Sequence, residues 1–144
     1  MKLSSLDFYH NNPIPQEFTC QGKDINPTLV MEDIPDRARS LALIVDDPDA
    51  PGGMWVHWVV FNIATDVVVI PKNTIPGVQG RNDFGRENYG GPCPPSGTHR
   101  YFFKLYALDQ KLDLKSGASK RELEKAMEGH ILAQSELVGL YKKF

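Results

Sequence analysis

The chain has 144 residues, enough for one domain (1–144) with a core that needs no staples. At 41% hydrophobic and 24% charged residues it has a globular profile, which excludes a disordered or fibrous chain. A net charge of -2 leaves no electrostatic footprint for nucleic acid or an anionic membrane, so any anion must be held by a local site.

The longest apolar runs, "SLALIV" and "WVVFNIATDVVVI", are too short or too interrupted to span a bilayer, so stable membrane insertion is not expected. The opening "MKLSSLDFYHNN" has neither a continuous apolar core nor a small-residue cleavage site, so a cytoplasmic location is expected. Cys20 and Cys93 are far apart and in no metal-ligand spacing, and read as free thiols rather than a disulfide framework or a zinc knuckle.

The 11 prolines and 12 glycines cluster between short apolar runs, the punctuation of a strand-rich fold with long loops. Strands are predicted at 28–31, 40–45 and 55–63, with a shorter one at 67–70. The stretch 71–98 is too long for a mere connection and is suspected of function. "HRYFFKLYAL", 99–108, is apolar and aromatic on both faces and is expected to be a central strand. "SKRELEKAMEGH" is the one clear helix: Ser119 and Glu122 form a capping box, Leu123, Ala126 and Met127 make an apolar stripe, and Gly129 ends it. A strand is predicted over 136–141, because Val138, Gly139 and Tyr141 disfavour helix. The fold class is therefore mainly β: an antiparallel-rich β-sandwich with one short helix in the C-terminal region. Tyr9, Phe18, Trp58 and Phe102 read as packing residues, His10 and His130 as surface residues without partners, and Asp83 with Arg86 as a loop ion pair.

Period two over "MWVHWVVFNI" puts Trp55, His57, Val59, Phe61 and Ile63 on one face, and Val56, Trp58, Val60 and Asn62 on the other. His57 thus sits inside an apolar strand. Alone it reads as a core histidine tied to a carbonyl, but His99, on the face of Tyr101, offers a second imidazole. "DDPDAP", 46–51, places three carboxylates at the end of a buried strand, where Pro48 forces a bend and the Ala50–Pro51 bond is a candidate cis peptide. Asp46 reads equally as a solvated turn residue. Asp47 and Asp49 read as partners of the histidines, each accepting one ring N–H so that the other nitrogen faces a ligand. Two histidines so held can grip a phosphate or carboxylate, and a spare aspartate oxygen can accept from an ammonium or hydroxyl group. "GGPCPPSGTH", 90–99, is the expected second wall, with Gly90, Gly91 and Gly97 allowing close approach and its prolines lowering the entropy lost on binding.

"DDPDAP", "MWVHWVVFNI", "NDFGRENYGGPCPPSGTHRYFFKLYALD" and "GHILAQSELVGLY" together resemble the phosphatidylethanolamine-binding protein family, in its bacterial and archaeal Raf-kinase-inhibitor-like branch. The resemblance runs over nearly the whole chain. It implies a β-sandwich with a small pocket for phosphate, phosphorylethanolamine, acetate or similar anionic or zwitterionic ligands. The walls it implies are Asp47, Asp49, Pro51, Trp55 and His57, then Cys93, Pro94 and Pro95, then His99 and Tyr101. It implies no cofactor, no metal and no catalytic residue; its members regulate kinases or inhibit serine proteases, so a protein partner of either kind is expected. Animal members carry a further C-terminal helix over the pocket. Here the pocket is expected to be more open or covered by another subunit, as in a homodimer.

The alternative is an enzyme, a hydrolase or other catalyst using the His/Asp pocket, with a metal on those side chains or Cys93 as nucleophile. The ligands lie on separate strands without helical spacing, and Cys93 reads better as a small residue packed in a rigid loop. "DFG" at 83–85 suggests a kinase, but the order and length of the chain refuse it.

Overall fold

Every residue of the strand Ser40–Asp47 is buried, which requires structure on both of its faces. The computed structural model describes residues 1–144 and supplies those two layers. Its elements are β1 (Lys2–Ser5), β2 (Asn12–Pro13), the 3-10 turn η1 (Gln16–Phe18), β3 (Leu29–Glu32), β4 (Ser40–Asp47), β5 (Trp55–Ile63), β6 (Val69–Ile70), β7 (Val78–Gln79), β8 (His99–Leu108), α1 (Lys120–Met127) and β9 (Ile131–Tyr141). A small sheet runs β1-β3-β6 and a large one β2-β9-β8-β4-β5-β7. All pairings are antiparallel except β2 with β9. The β-sandwich is as expected, with β8 at its centre.

Between the sheets, Leu41, Leu43 and Val45 of β4 meet Phe103 and Leu105 of β8 and Leu29 and Met31 of β3. On the outer face of the large sheet, Ala42 and Ile44 pack under Leu123 and Met127 of α1. The capping box forms as expected: Ser119 Oγ accepts from the Glu122 N–H, and Glu122 Oε1 accepts from the Ser119 N–H, each at 3.1 Å. Burying Leu123 and Met127 contributes roughly 1.5–3 kcal/mol each, which holds this short helix on the sheet.

The period-two assignment of β5 fails at two points. Val45 lies opposite Trp58 and Asp46 opposite Val56, so His57 is an extra residue; a second shift lies between the Leu43–Val60 and Leu41–Ile63 pairs, where Asn62 has φ 53°. Each extra residue reverses the alternation. Trp58, Val60 and Ile63 therefore face the inner core, and Val59 and Phe61 the outer one.

Other expectations change as well. β9 begins at Ile131, earlier than 136, because β8 offers a ladder along its whole length. Tyr9 is 82% exposed and packs in no core. His10 Nδ1 accepts the Val138 N–H at 3.0 Å, and His130 Nδ1 lies 2.9 Å from Asp109 Oδ1, so both histidines have partners. Asp83 accepts the Val56 N–H at 2.7 Å instead of pairing with Arg86, whose guanidinium lies over the Phe84 ring. The Ala50–Pro51 peptide is trans. Cys20 and Cys93 are not free thiols but a disulfide, their Cα atoms 5.5 Å apart. No helix is long and apolar enough to cross a membrane.

Candidate functional site

Alternation along β4 separates the first two acids of "DDPDAP". Asp46 points to the outer face and is fully buried, with Lys120 Nζ at 2.8 Å and Lys104 Nζ at 3.1 Å, so it is no solvated turn residue. Asp47 points to the inner face. Its Oδ1 accepts the Asp49 N–H at 2.7 Å, a turn that redirects the chain, and its Oδ2 accepts from His99 Nδ1–H at 2.6 Å. Asp49 is turned away from both histidines: its oxygens take Arg100 Nε–H and Nη2–H at 2.9 Å in a bidentate pair. That hydrogen bonding holds its carboxyl below the usual carboxylate value.

The extra residue in β5 turns the His57 ring toward the loop that follows β7. There the Gly90 carbonyl accepts from His57 Nδ1–H at 2.7 Å. A carbonyl only accepts, so this bond fixes the tautomer and leaves Nε2 as a bare lone pair. Burial lowers the His57 pKa from its ordinary value, against the opposing effects of the Gly90 carbonyl and the Asp47 charge. The expectation that carboxylates orient both histidines therefore holds for His99 alone.

Tyr101, on the His99 face of β8, stands between the two rings, edge-on to His57 at 5.2 Å and stacked on His99 at 6.5 Å. Its hydroxyl is buried without a hydrogen-bond partner. Burial, then the charge of Asp47, push its pKa far up, so it stays a phenol.

These side chains open on one cavity of about 310 Å³, lined by Asp47, Ala50, Pro51, Trp55, His57, Phe84, Cys93, Pro94, Pro95, His99 and Tyr101. Nine of the ten residues singled out from the sequence lie on it, and Asp49 does not. Ala50 and Phe84 were missed. Phe84 meets Trp55 edge-on at 5.6 Å and His57 at 5.4 Å. A Cβ at position 90 would stand 2.5 Å from the Phe84 ring, so glycine is required where the loop passes it. The loop is organised by buried Asn82, whose Oδ1 accepts from the Phe84 and Arg86 N–H groups and whose Nδ2–H₂ reaches the Asn88 carbonyl at 2.7 Å. Two signals pointed to it, the unusual length of 71–98 and the family-like segment that begins at Asn82.

A larger cavity of about 500 Å³ lies beside Trp58 and Tyr89, between Asp24–Asn26 and Asn73–Ile75. It gathers no histidine, and Asn26 spends its amide on the Pro27 and Pro71 carbonyls and the Thr74 N–H. The smaller cavity is the one with chemistry.

The proline loop packs on the turn after η1. A Cβ at position 91 would lie 2.4 Å from the Phe18 carbonyl oxygen, and the Gly91 N–H donates to Asp24 Oδ1 at 2.7 Å. With its sulfur bonded to Cys20, Cys93 holds no thiolate, which counts against the alternative in which it serves as a nucleophile. Nowhere do three His, Cys, Asp or Glu side chains converge to hold a metal ion.

Fold and cavity define a ligand-binding β-sandwich protein. The family profile described as "Phosphatidylethanolamine-binding protein" matches residues 4–142. A UPF0098 protein of Methanothermobacter thermautotrophicus is 50% identical over 99% of each chain, and one of Pyrococcus horikoshii is 52% identical over 99% of this chain and 77% of its own. Among solved structures, a phosphatidylethanolamine-binding protein homologue from Chlamydia trachomatis superposes with a TM-score of 0.97 at 44% identity, covering 99% of this chain and 97% of that one. Escherichia coli YbcL, described as a new member of the mammalian family, superposes with a TM-score of 0.91 at 31% identity, covering 99% and 98%. The chain belongs to the phosphatidylethanolamine-binding protein family.

Proposed function

We propose that the cavity takes a small oxyanion, a phosphate, phosphorylethanolamine or carboxylate, and that the protein regulates or inhibits a partner enzyme, a kinase or a serine protease. One observation carries the first part: two imidazoles, each with its Nδ1 bonded to protein, and a buried phenol without a partner line the same small cavity. The phenol is a ready donor. The rings are not, because each spends its Nδ1–H on protein, so an oxyanion must bring a proton with it or leave one on a ring. The Asp47 carboxylate beside His99 can also accept from a ligand's ammonium or hydroxyl group, which suits a zwitterion as well as an anion. Trp55 and Phe84 give the mouth an exposed apolar rim, which supports contact with a partner or a second copy of the chain.

Calorimetric titration of inorganic phosphate and of phosphorylethanolamine into the wild-type and His99→Ala chains tests the site. Loss of affinity by roughly tenfold or more is expected, the worth of a charge-assisted hydrogen bond. Equal affinity in the two chains removes the cavity from the account. Repeating the titration in buffers of different ionisation enthalpy should reveal uptake of roughly one proton per phosphate near neutral pH.

A further inference from the structure

We propose that the Cys20–Cys93 disulfide is a redox latch on this cavity: oxidised, it holds the proline wall in place; reduced, it releases residues 93–98 and weakens the site. The hydrogen bonds that fasten this loop to the η1 region all lie before Cys93. Tyr89 Oη–H donates to the Phe18 carbonyl at 2.8 Å, the Gly91 N–H to Asp24 Oδ1 at 2.7 Å, and the Cys20 N–H to the Pro92 carbonyl at 3.1 Å. The next fastening is His99, where β8 begins and pairs with Tyr141. From Cys93 to Thr98 no hydrogen bond ties the chain to any other segment, and Pro94 and Pro95 have no N–H to give. The disulfide is the one crosslink there, and Cys93, Pro94 and Pro95 form a wall of the cavity.

The bond is also within reach. Cys20 is exposed and Cys93 half-buried, and exposed disulfides are the reducible ones. A dithiol reductant, small or protein-borne, attacks Cys20 Sγ as a thiolate, forming a mixed disulfide and expelling the Cys93 thiolate. Its second thiol then closes its own disulfide and releases Cys20. Two electrons and two protons pass to the protein, and both cysteines end as thiols. A released wall occupies its binding conformation only part of the time, and apparent affinity falls by that fraction. This effect on affinity rests on the oxyanion reading above; release of the wall does not.

The test uses the full chain, oxidised and after dithiothreitol, together with Cys20→Ser, which breaks the bond and leaves cavity-lining Cys93 in place. Backbone ¹⁵N order parameters are measured over 93–98, and inorganic phosphate is titrated into each form. On reduction, and in Cys20→Ser, the order parameters of Cys93, Ser96, Gly97 and Thr98 should fall from about 0.85 to 0.6 or lower while β4 and β8 stay near 0.85. Phosphate affinity should fall about tenfold, the result of a wall in place a tenth of the time. Unchanged order over 93–98 overturns the latch. So does unchanged phosphate affinity in a chain whose oxidised form binds it, or equal loss of order in β4 and β8, which is unfolding and not release. If the oxidised chain takes no phosphate, the oxyanion reading falls, and the latch is upheld or overturned by the order parameters alone.

Discussion

Asp46 and Asp47 are adjacent and do different things because a strand sends successive side chains to opposite faces. The same local geometry makes His57 a titrating group with a cost. Burial holds its pKa below 6.5, so the unfolded chain binds a proton there that the folded chain refuses. Stability is thus full above about pH 6.5 and declines as pH drops through that value. Urea midpoints measured from pH 8 to pH 5 should show the decline, and a His57→Asn chain should show a shallower one. Tyr101 invites a second measurement. Its buried hydroxyl lacks a protein partner, so Tyr101→Phe should raise stability by about 1 kcal/mol in urea melts. The same change should weaken phosphate binding, since it deletes the phenol donor; a variant that is less stable, or that binds unchanged, contradicts this account of the hydroxyl.

Helix α1 is tied to the sheet by more than its apolar stripe. Lys120 in its first turn and Lys104 of β8 both reach the Asp46 carboxylate of β4, joining three elements at one buried charge. Removing it leaves two lysines half-stranded. Asp46→Ala should therefore cost about 2–3 kcal/mol, toward the low end for a broken buried pair because both lysines keep some access to water. Thermal or urea unfolding checks this, and a loss no larger than that of a surface substitution, under about 0.5 kcal/mol, refutes it. The helix itself could be read in advance, because a capping box and an i, i+3, i+4 stripe are local signals, and so could the strands β5 and β8. The two extra residues in β5 could not. A bulge depends on the register of the facing strand, and β4 is remote in sequence.

Across the whole molecule, the disulfide joins positions 73 residues apart. In the chain-entropy account a loop of that length restricts the unfolded state by about 4 kcal/mol. Reduction or Cys20→Ser should lower unfolding free energy by about 2–4 kcal/mol, an amount that differential scanning or urea titration resolves. The inner core does not depend on the bond: Leu43, Trp58 and Phe103 are fully buried in sheet contacts elsewhere. The reduced chain is therefore expected to remain folded, with a lower midpoint.

Patterns confined to neighbouring residues were enough for the β class, the two-layer architecture and the one helix, because alternation, capping and turn chemistry act over a few positions. They also singled out Asp47, His57 and His99, while the other cavity residues named in advance came from the resemblance of whole segments to a family. Contacts between distant segments settled the rest. Asp49 went to Arg100 and not to a histidine, His57 to a carbonyl and not to a carboxylate, and Phe84 came onto the cavity from a loop with no periodicity. Cys20 met Cys93 only because η1 and the proline loop pack together, and no spacing rule in one dimension measures that approach.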